Sequence, residues 1–253
     1  MSSPTKKKPE GLWLACENME IAAKRVTAKQ LEPFEAPIRI CYESGVQVST
    51  LPGKRHGTPD ILLAALFLKK TLNDLRSTWV LLQYGYTSQA ASVAASLFEN
   101  ALTVTCLAGN DVNTKKLQNN KSGDLPWKVQ QLAKMLSQQW QEEARILKRK
   151  FDKEDYEKAW QEIYSGYKWL CKIKHPTIMS AAHDALSTSL ISGEYVVMAA
   201  PDIRPEDIAV KATILAMAIN RVYGAIRSFS FALECDTKLP EYKRFVKRMQ
   251  DVA

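Results

Sequence analysis

The chain has 253 residues, of which 46% are hydrophobic and 25% charged, a composition ordinary for a globular protein long enough to bury its own core. Basic residues outnumber acidic ones to give a formal net charge of +8, which favours RNA or another polyanion as a partner. The sequence contains no uninterrupted run of 18 apolar residues, so we expect no membrane span.

Metal, disulfide and cofactor chemistry find little support in the residue types. The five cysteines are an odd number, are scattered singly, and form no pair at metal-ligand spacing. Only three histidines and no glycine-rich phosphate loop are present, so we predict neither a metal nor a cofactor. The apolar run at 12–16 is too short for a signal peptide, and we expect a cytoplasmic protein.

The first third of the chain predicts a basic tail followed by helices. Residues 1–10 are polar and lysine-rich, which is typical of a flexible tail, and residues 11–253 are predicted to form a single helical domain. Helices are predicted over 12–31 and from Pro33 or Pro37 to about Gly45. A loop rich in glycine and proline at 51–59 precedes a helix predicted over 60–83.

The next helix, predicted over 87–107, is expected to lie at the centre of the fold. Gly85 separates it from the preceding helix, and Thr87 or Ser88 can cap its start. Its many alanines and few charges are typical of a helix surrounded by others at close range. Glu99 is the acidic residue of this helix, and we expect it to be paired or to lie at a cavity if it is buried.

The rest of the chain continues the helical pattern with one interruption. Residues 109–123 are polar and predict a loop or a short frayed helix. Further helices are predicted over 126–150, 152–174, 177–186 and 206–235, and a basic one from Pro240. Short β-prone runs on either side of Ser192 and Gly193 favour a small β-hairpin near residues 188–200. The predicted fold class is therefore all-α, a multi-helix bundle with this small hairpin.

Two segments carry a resemblance to a known family. The segment from Gly85 to Asn100, GYTSQAASVAASLFEN, resembles the paired-helix signature of a bacterial family of unknown function in the HEPN-like helical superfamily. The segment from Tyr167 to Pro176 resembles the later, histidine-bearing helix of the same family, and the spacing places the HEPN-like core at about 60–235. The resemblance implies a helical bundle that often pairs as a homodimer. It also implies a link to bacterial defence or stress and, in active members, metal-independent RNA cleavage by an arginine and a histidine.

The residues that correspond to this pair are His175 and a lysine. His175 matches the family histidine, while Lys168 keeps a cation at the longest permitted spacing and Lys172 follows one helical turn later. Histidine supplies a base that works near neutral pH, and a cation stabilises charge that develops on the phosphate. Lysine lacks the planar fork with which arginine holds two phosphate oxygens. Alternatively, His175 ends a helix beside Pro176 and both lysines are merely solvated.

Two basic stripes are candidate nucleic-acid-binding surfaces. The first, at the end of the long middle helix, consists of Arg145, Lys148 and Arg149. The second, on the last helix, consists of Lys243, Arg244, Lys247 and Arg248. The alternative is structural, because cations near a helix C-terminus complement its dipole.

Three interpretations of function remain open on the sequence. The first is a HEPN-like helical module, non-catalytic or weakly catalytic, that binds RNA or a protein partner. The second is a metal-independent endoribonuclease that uses His175 with Lys168 and Lys172. The third is a protein-interaction scaffold with no role in nucleic-acid binding.

Overall fold

Helices dominate the computed structural model, which describes residues 12–174, 189–191, 194–196, 201 and 207–252. The described helices are α1 (Leu12–Gln30), α2 (Glu32–Val48), α3 (Pro59–Gln83), α4 (Thr87–Leu107), α5 (Asp111–Gln118), α6 (Val129–Ile146), α7 (Lys153–Lys174), α8 (Ile208–Ala232) and α9 (Pro240–Gln250). The all-α class predicted from the sequence is confirmed. The tail at 1–10 and the helix predicted at 177–186 lie outside the described residues.

Helix α4 lies at the centre of the bundle, as its composition predicts. It packs against α3, α5, α6, α7 and α8, and sixteen of its 21 residues are buried. Four of them, Ala90, Ala91, Ala94 and Ala95, are at most 1% exposed. Because these side chains end at Cβ, neighbouring helices approach closely, and α4 positions most of the other elements.

Helix α2 is longer than predicted at both ends. It begins at Glu32, because Pro33 occupies the first turn, where a missing backbone N–H removes no helical hydrogen bond. It also continues past Gly45 to Val48. A Cβ at Gly45 would lie 2.5 Å from Cδ2 of Leu72, so this glycine permits close packing on α3 rather than ending the helix.

The loop between α2 and α3 is fastened to the end of α8. Gly53 forms an antiparallel bridge with Cys235, and the Lys54 and Arg55 amides donate to backbone oxygens just beyond α8. A Cβ at Gly53 would lie 2.3 Å from the backbone oxygen of Leu233. This contact leaves room for glycine alone, and it holds the start of α3 beside the end of α8.

A buried ion pair joins the start of α8 to the start of α4. Nζ of Lys211 lies 2.8 Å from Oδ2 of Asp207, and the two side chains are 1% and 0% exposed. The hydroxyl of Thr87, the first residue of α4, donates to the same carboxylate. Charges this deeply buried stabilise a fold only when their partners stay in place.

The ends of α6 and α7 follow local capping chemistry. Helix α6 begins at Val129 rather than near Pro126, because the Lys128 amide donates to Oε1 of Gln131 and fixes the first turn there. Just beyond the other end of α6, Lys148 has a φ of 52°, a left-handed conformation usually taken by glycine at this position. Asp152 caps α7, which the sequence predicts over 152–174, since its Oδ1 accepts hydrogen bonds from the backbone amides of residues 154 and 155.

The sequence also predicts a hairpin near residues 188–200. Ser189–Ile191 and Glu194–Val196 form two short strands, β1 and β2, paired antiparallel with Leu190 opposite Tyr195. The turn between the strands and the residues that flank them are not among those described. The hairpin as a whole therefore stays a prediction.

Two of the described helices, α4 and α8, are long and apolar enough to cross a membrane by length and composition alone. Within the most apolar window of α4, 78% is buried inside the protein, as in the core helix of many globular proteins. The corresponding window of α8 is 33% buried, and its start carries the buried Lys211–Asp207 pair. The two helices are weak evidence for a membrane span.

The cysteines are not joined to one another, and two lie deep in the bundle. Cys41 of α2 and Cys106 of α4 are 0% exposed. Burial raises the pKa of each thiol to about 12, because a thiolate would lose its hydration there. Both residues are therefore inert core residues.

Candidate functional site

Helix α7 carries the part of the predicted catalytic group that the structure describes. Lys168 and Lys172 are exposed one turn apart on α7. The ammonium of Lys168 lies 5.6 Å from the ring centre of Tyr164, and that ring stacks on Tyr167 at 6.4 Å with an interplanar angle of 20°. His175 falls just outside the described residues, so its place relative to the lysines stays a prediction.

The first basic stripe is partly neutralised by its own helix. Arg145 holds Glu142 through both its Nε, at 2.9 Å, and its Nη2. Among the described residues, no carboxylate lies within 4.0 Å of the Lys148 or Arg149 cation. Two of the three predicted cations are thus available to a ligand.

The second basic stripe is paired in the same way. Arg244 contacts Glu241 at 3.3 Å on α9, and Arg248 contacts Glu43 of α2 at 3.6 Å. Lys243 and Lys247 are exposed and have no carboxylate within that range in the described part of the chain. The opposite face of α9 buries Phe245 and Met249, so this helix docks through one face and exposes its basic side chains on the other.

Glu99 is paired, as expected for an acid of the central helix. The hydroxyl of Tyr167 on α7 donates to its Oε1. Burial, followed by the neighbouring carboxylate, raises the pKa of the Tyr167 phenol, so the phenol keeps its proton and remains a donor. The bond joins α4 to α7 and places the ring of Tyr167 6.0 Å from that of Phe98.

Beside this bond, four helices border an open cleft of about 350 Å³ that no pattern in the sequence predicts. We call it the Arg221 cleft; it is lined by Phe98 of α4, Trp140 of α6, Ala159, Glu162 and Ile163 of α7, and Ala216, Met217, Asn220 and Arg221 of α8. Gly166 of α7 packs against two of these lining residues, because a Cβ there would lie 2.6 Å from Cε of Met217 and 3.8 Å from the ring of Phe98. The missing side chain leaves space for Met217 beside the ring.

The guanidinium of Arg221 is the distinctive group of this cleft. It lies 5.3 Å from the ring centre of Phe98, and its Nη2 donates to Oδ1 of Asn220 at 2.6 Å. No carboxylate among the described residues forms an ion pair with it. Burial lowers the pKa of Arg221 to about 10, because desolvation disfavours the charged form.

A metal centre finds no support in the described residues, where no group of three or more His, Cys, Asp or Glu could hold an ion. No protein-family model, curated protein or solved structure matches this chain. The candidate sites therefore stand on their own geometry, and the HEPN-like resemblance stays a prediction.

The sequence contains one signal that points to the Arg221 cleft. Arg221 is an arginine within a long apolar helix, and such a residue needs either solvent or a partner. What the sequence does not reveal is that Phe98 and Trp140, from two distant segments, form the walls around it. Only tertiary packing brings these residues together.

Proposed function

We propose that the protein is a HEPN-like helical module that binds RNA through the exposed lysines of α7. The observation that carries the proposal is the pair Lys168 and Lys172, two exposed cations on one side of the helix with no carboxylate neighbour in the described residues. Lysines that are not engaged by acids are free to neutralise phosphates. Arg145, Arg244 and Arg248 of the two stripes, by contrast, are already held by carboxylates.

Aromatic rings beside the lysines support RNA rather than a generic acidic surface. Tyr164 lies under the Lys168 ammonium and is half-buried. Proteins that bind single-stranded nucleic acid combine cations along the backbone with aromatic rings on which bases stack. An unpaired RNA strand therefore suits this part of α7. A role in bacterial defence or stress belongs to the proposal through the resemblance alone.

The test is fluorescence anisotropy with a labelled 20-nucleotide single-stranded RNA at a series of salt concentrations. We expect Lys168→Glu combined with Lys172→Glu to weaken binding at least about tenfold at low salt, and to reduce the salt slope by about 1.4 for two lost phosphate contacts. Lys69→Glu combined with Lys70→Glu is the matched control, because both residues are exposed on α3 and the charge change is identical.

The outcomes separate the interpretations. If the two double variants weaken RNA binding equally, net charge alone explains the binding, and the proposed role of α7 is refuted. Absence of RNA binding by the parent protein would leave a protein-interaction scaffold as the better explanation. A third double variant, Lys243→Glu with Lys247→Glu, measures how far these two lysines of α9 contribute.

A second candidate function is metal-independent RNA cleavage. It is favoured by the exposure of Lys168 and Lys172 on the helix that leads directly to His175. We expect such cleavage to survive EDTA, to leave cyclic phosphate ends and to disappear in His175→Ala. Lys168→Arg would increase it by restoring the planar fork. Cleavage retained by a folded His175→Ala protein would refute the candidate.

A further inference from the structure

The Arg221 cleft has the size and lining of a small-molecule site. Its volume of about 350 Å³ falls in the range of about 300–1,000 Å³ that such sites occupy. Phe98, Trp140 and Met217 supply apolar and aromatic surface, and Arg221 and Asn220 supply polar groups. Apolar walls with a few polar groups are the usual composition of a ligand pocket.

Arg221 is only partly buried, and no carboxylate among the described residues pairs with its guanidinium. An arginine withdrawn from water is usually paired with an acid, whereas the contacts of Arg221 in the described residues are an amide oxygen and an aromatic face. An amide oxygen offers only a partial charge, and the ring of Phe98 covers one face of the fork. The N–H groups that remain can donate to two oxygens of a carboxylate or phosphate.

We propose that the Arg221 cleft binds a small aromatic anion. Arg221 would receive the acid group, and the aromatic body would lie against Trp140 and Met217. Asn220 and Glu162 are exposed at the same cleft and would accept hydrogen bonds from amino or hydroxyl groups of the ligand. This site is separate from the lysines of α7 and does not depend on RNA binding.

Gly166 sets the room available for the ligand. Alanine at this position would place its Cβ 2.6 Å from Cε of Met217, and the flexible end of that side chain would have to move. Because Met217 lines the cleft, the displaced methyl group would change the space that the aromatic body occupies. Gly166→Ala therefore perturbs the cleft without touching its charge.

The test is isothermal titration calorimetry with four probes: 2-naphthoate, its neutral analogue 2-naphthamide, adenosine 5′-monophosphate and acetate. We expect at least one of the two aromatic anions to bind. For 2-naphthoate, affinity should exceed that for 2-naphthamide at least tenfold, and acetate should not bind detectably. Preference for 2-naphthoate or for the nucleotide tells whether the acid is a carboxylate or a phosphate.

Variants assign the binding to the cleft. Arg221→Gln should lower the affinity for the bound aromatic anion at least tenfold and leave the affinity for 2-naphthamide unchanged. Gly166→Ala should lower the affinity for both. Arg227→Gln is the matched control, because Arg227 lies on the same helix, is 63% exposed and contacts Glu143. Circular dichroism confirms that each variant is folded.

Three results would overturn the inference: no binding of either aromatic anion, equal affinity for 2-naphthoate and 2-naphthamide where 2-naphthoate binds, or equal effects of Arg221→Gln and Arg227→Gln. The comparison of charged and neutral probes uses the parent protein alone. It therefore tests the preference for an anion even if Arg221→Gln fails to fold.

Discussion

Replacing Arg221 with methionine should make the protein more stable, even though the side chain contacts Phe98 and Asn220. Burial lowers the pKa of this guanidinium from 12.5 to about 10. Each pKa unit corresponds to 1.36 kcal/mol, so the charge carries a penalty of about 3 kcal/mol in the folded state. The contacts with the Phe98 ring and the Asn220 oxygen offset about 1–2 kcal/mol of this penalty.

Methionine has a similar length and no charge, so it can fill the space that the arginine stem occupies. We therefore expect Arg221→Met to raise the free energy of unfolding by about 1–2 kcal/mol, measured by urea titration. The folded-state pKa is the lowered one, so the penalty is present at every pH below about 10 and fades only as the pH rises beyond it. The increase in the free energy of unfolding should accordingly be the same at pH 6 and pH 9.

The matched control is Arg227→Met, an exposed position on α8 where we expect a change within about 0.5 kcal/mol. A loss of stability in Arg221→Met, with the control unchanged, would mean that the guanidinium is stabilised by its surroundings. That result would refute both the size of the desolvation penalty and burial as its cause.

Three further substitutions test features of the fold through urea or thermal unfolding. Lys148→Gly should stabilise the protein by about 0.5–1 kcal/mol, because glycine adopts the left-handed φ of 52° without steric cost. Gly53→Ala should destabilise it by about 2–3 kcal/mol, since the new Cβ would overlap the backbone oxygen of Leu233. Lys211→Met should destabilise it by about 3–5 kcal/mol, because the buried Asp207 carboxylate would lose its cation.

Each of these three substitutions has its own control variant. Lys150 is exposed and is not among the residues of positive φ, so Lys150→Gly should bring no gain in stability. Gly123→Ala meets no atom within 4 Å and should cost only about 1 kcal/mol for its φ of 78°. Combining Asp207→Leu with Lys211→Met should recover part of the loss, and failure to recover any would count against a simple charge-pair explanation.

The sequence predicts the helices well because helical periodicity and turn residues are local signals. The central place of α4 follows from its alanines, and Asp152 marks the start of α7 correctly. The errors arise where a residue is interpreted without its neighbours. Pro126 resembles a helix start, but the hydrogen bond to Gln131 moves that start to Val129.

The candidate sites are less predictable because they depend on pairs between distant segments. The sequence shows that Arg248 lies on a basic face, but not that Glu43 of α2 lies 3.6 Å from it. It shows that Glu99 needs a partner, but not that Tyr167 provides one. The Arg221 cleft requires four helices at once, so no local pattern could reveal it.

Alkylation of the two buried thiols can report local opening of the helical bundle. With a pKa of about 12, Cys41 and Cys106 are thiolate in only roughly one molecule in 10⁵ at pH 7, so the folded form scarcely reacts with an alkylating reagent. Alkylation then proceeds through molecules in which the surrounding helices have separated. Equal rates at the two thiols would mean that the whole bundle opens together. Faster modification of Cys41 would mean that α2 detaches while α4 remains enclosed.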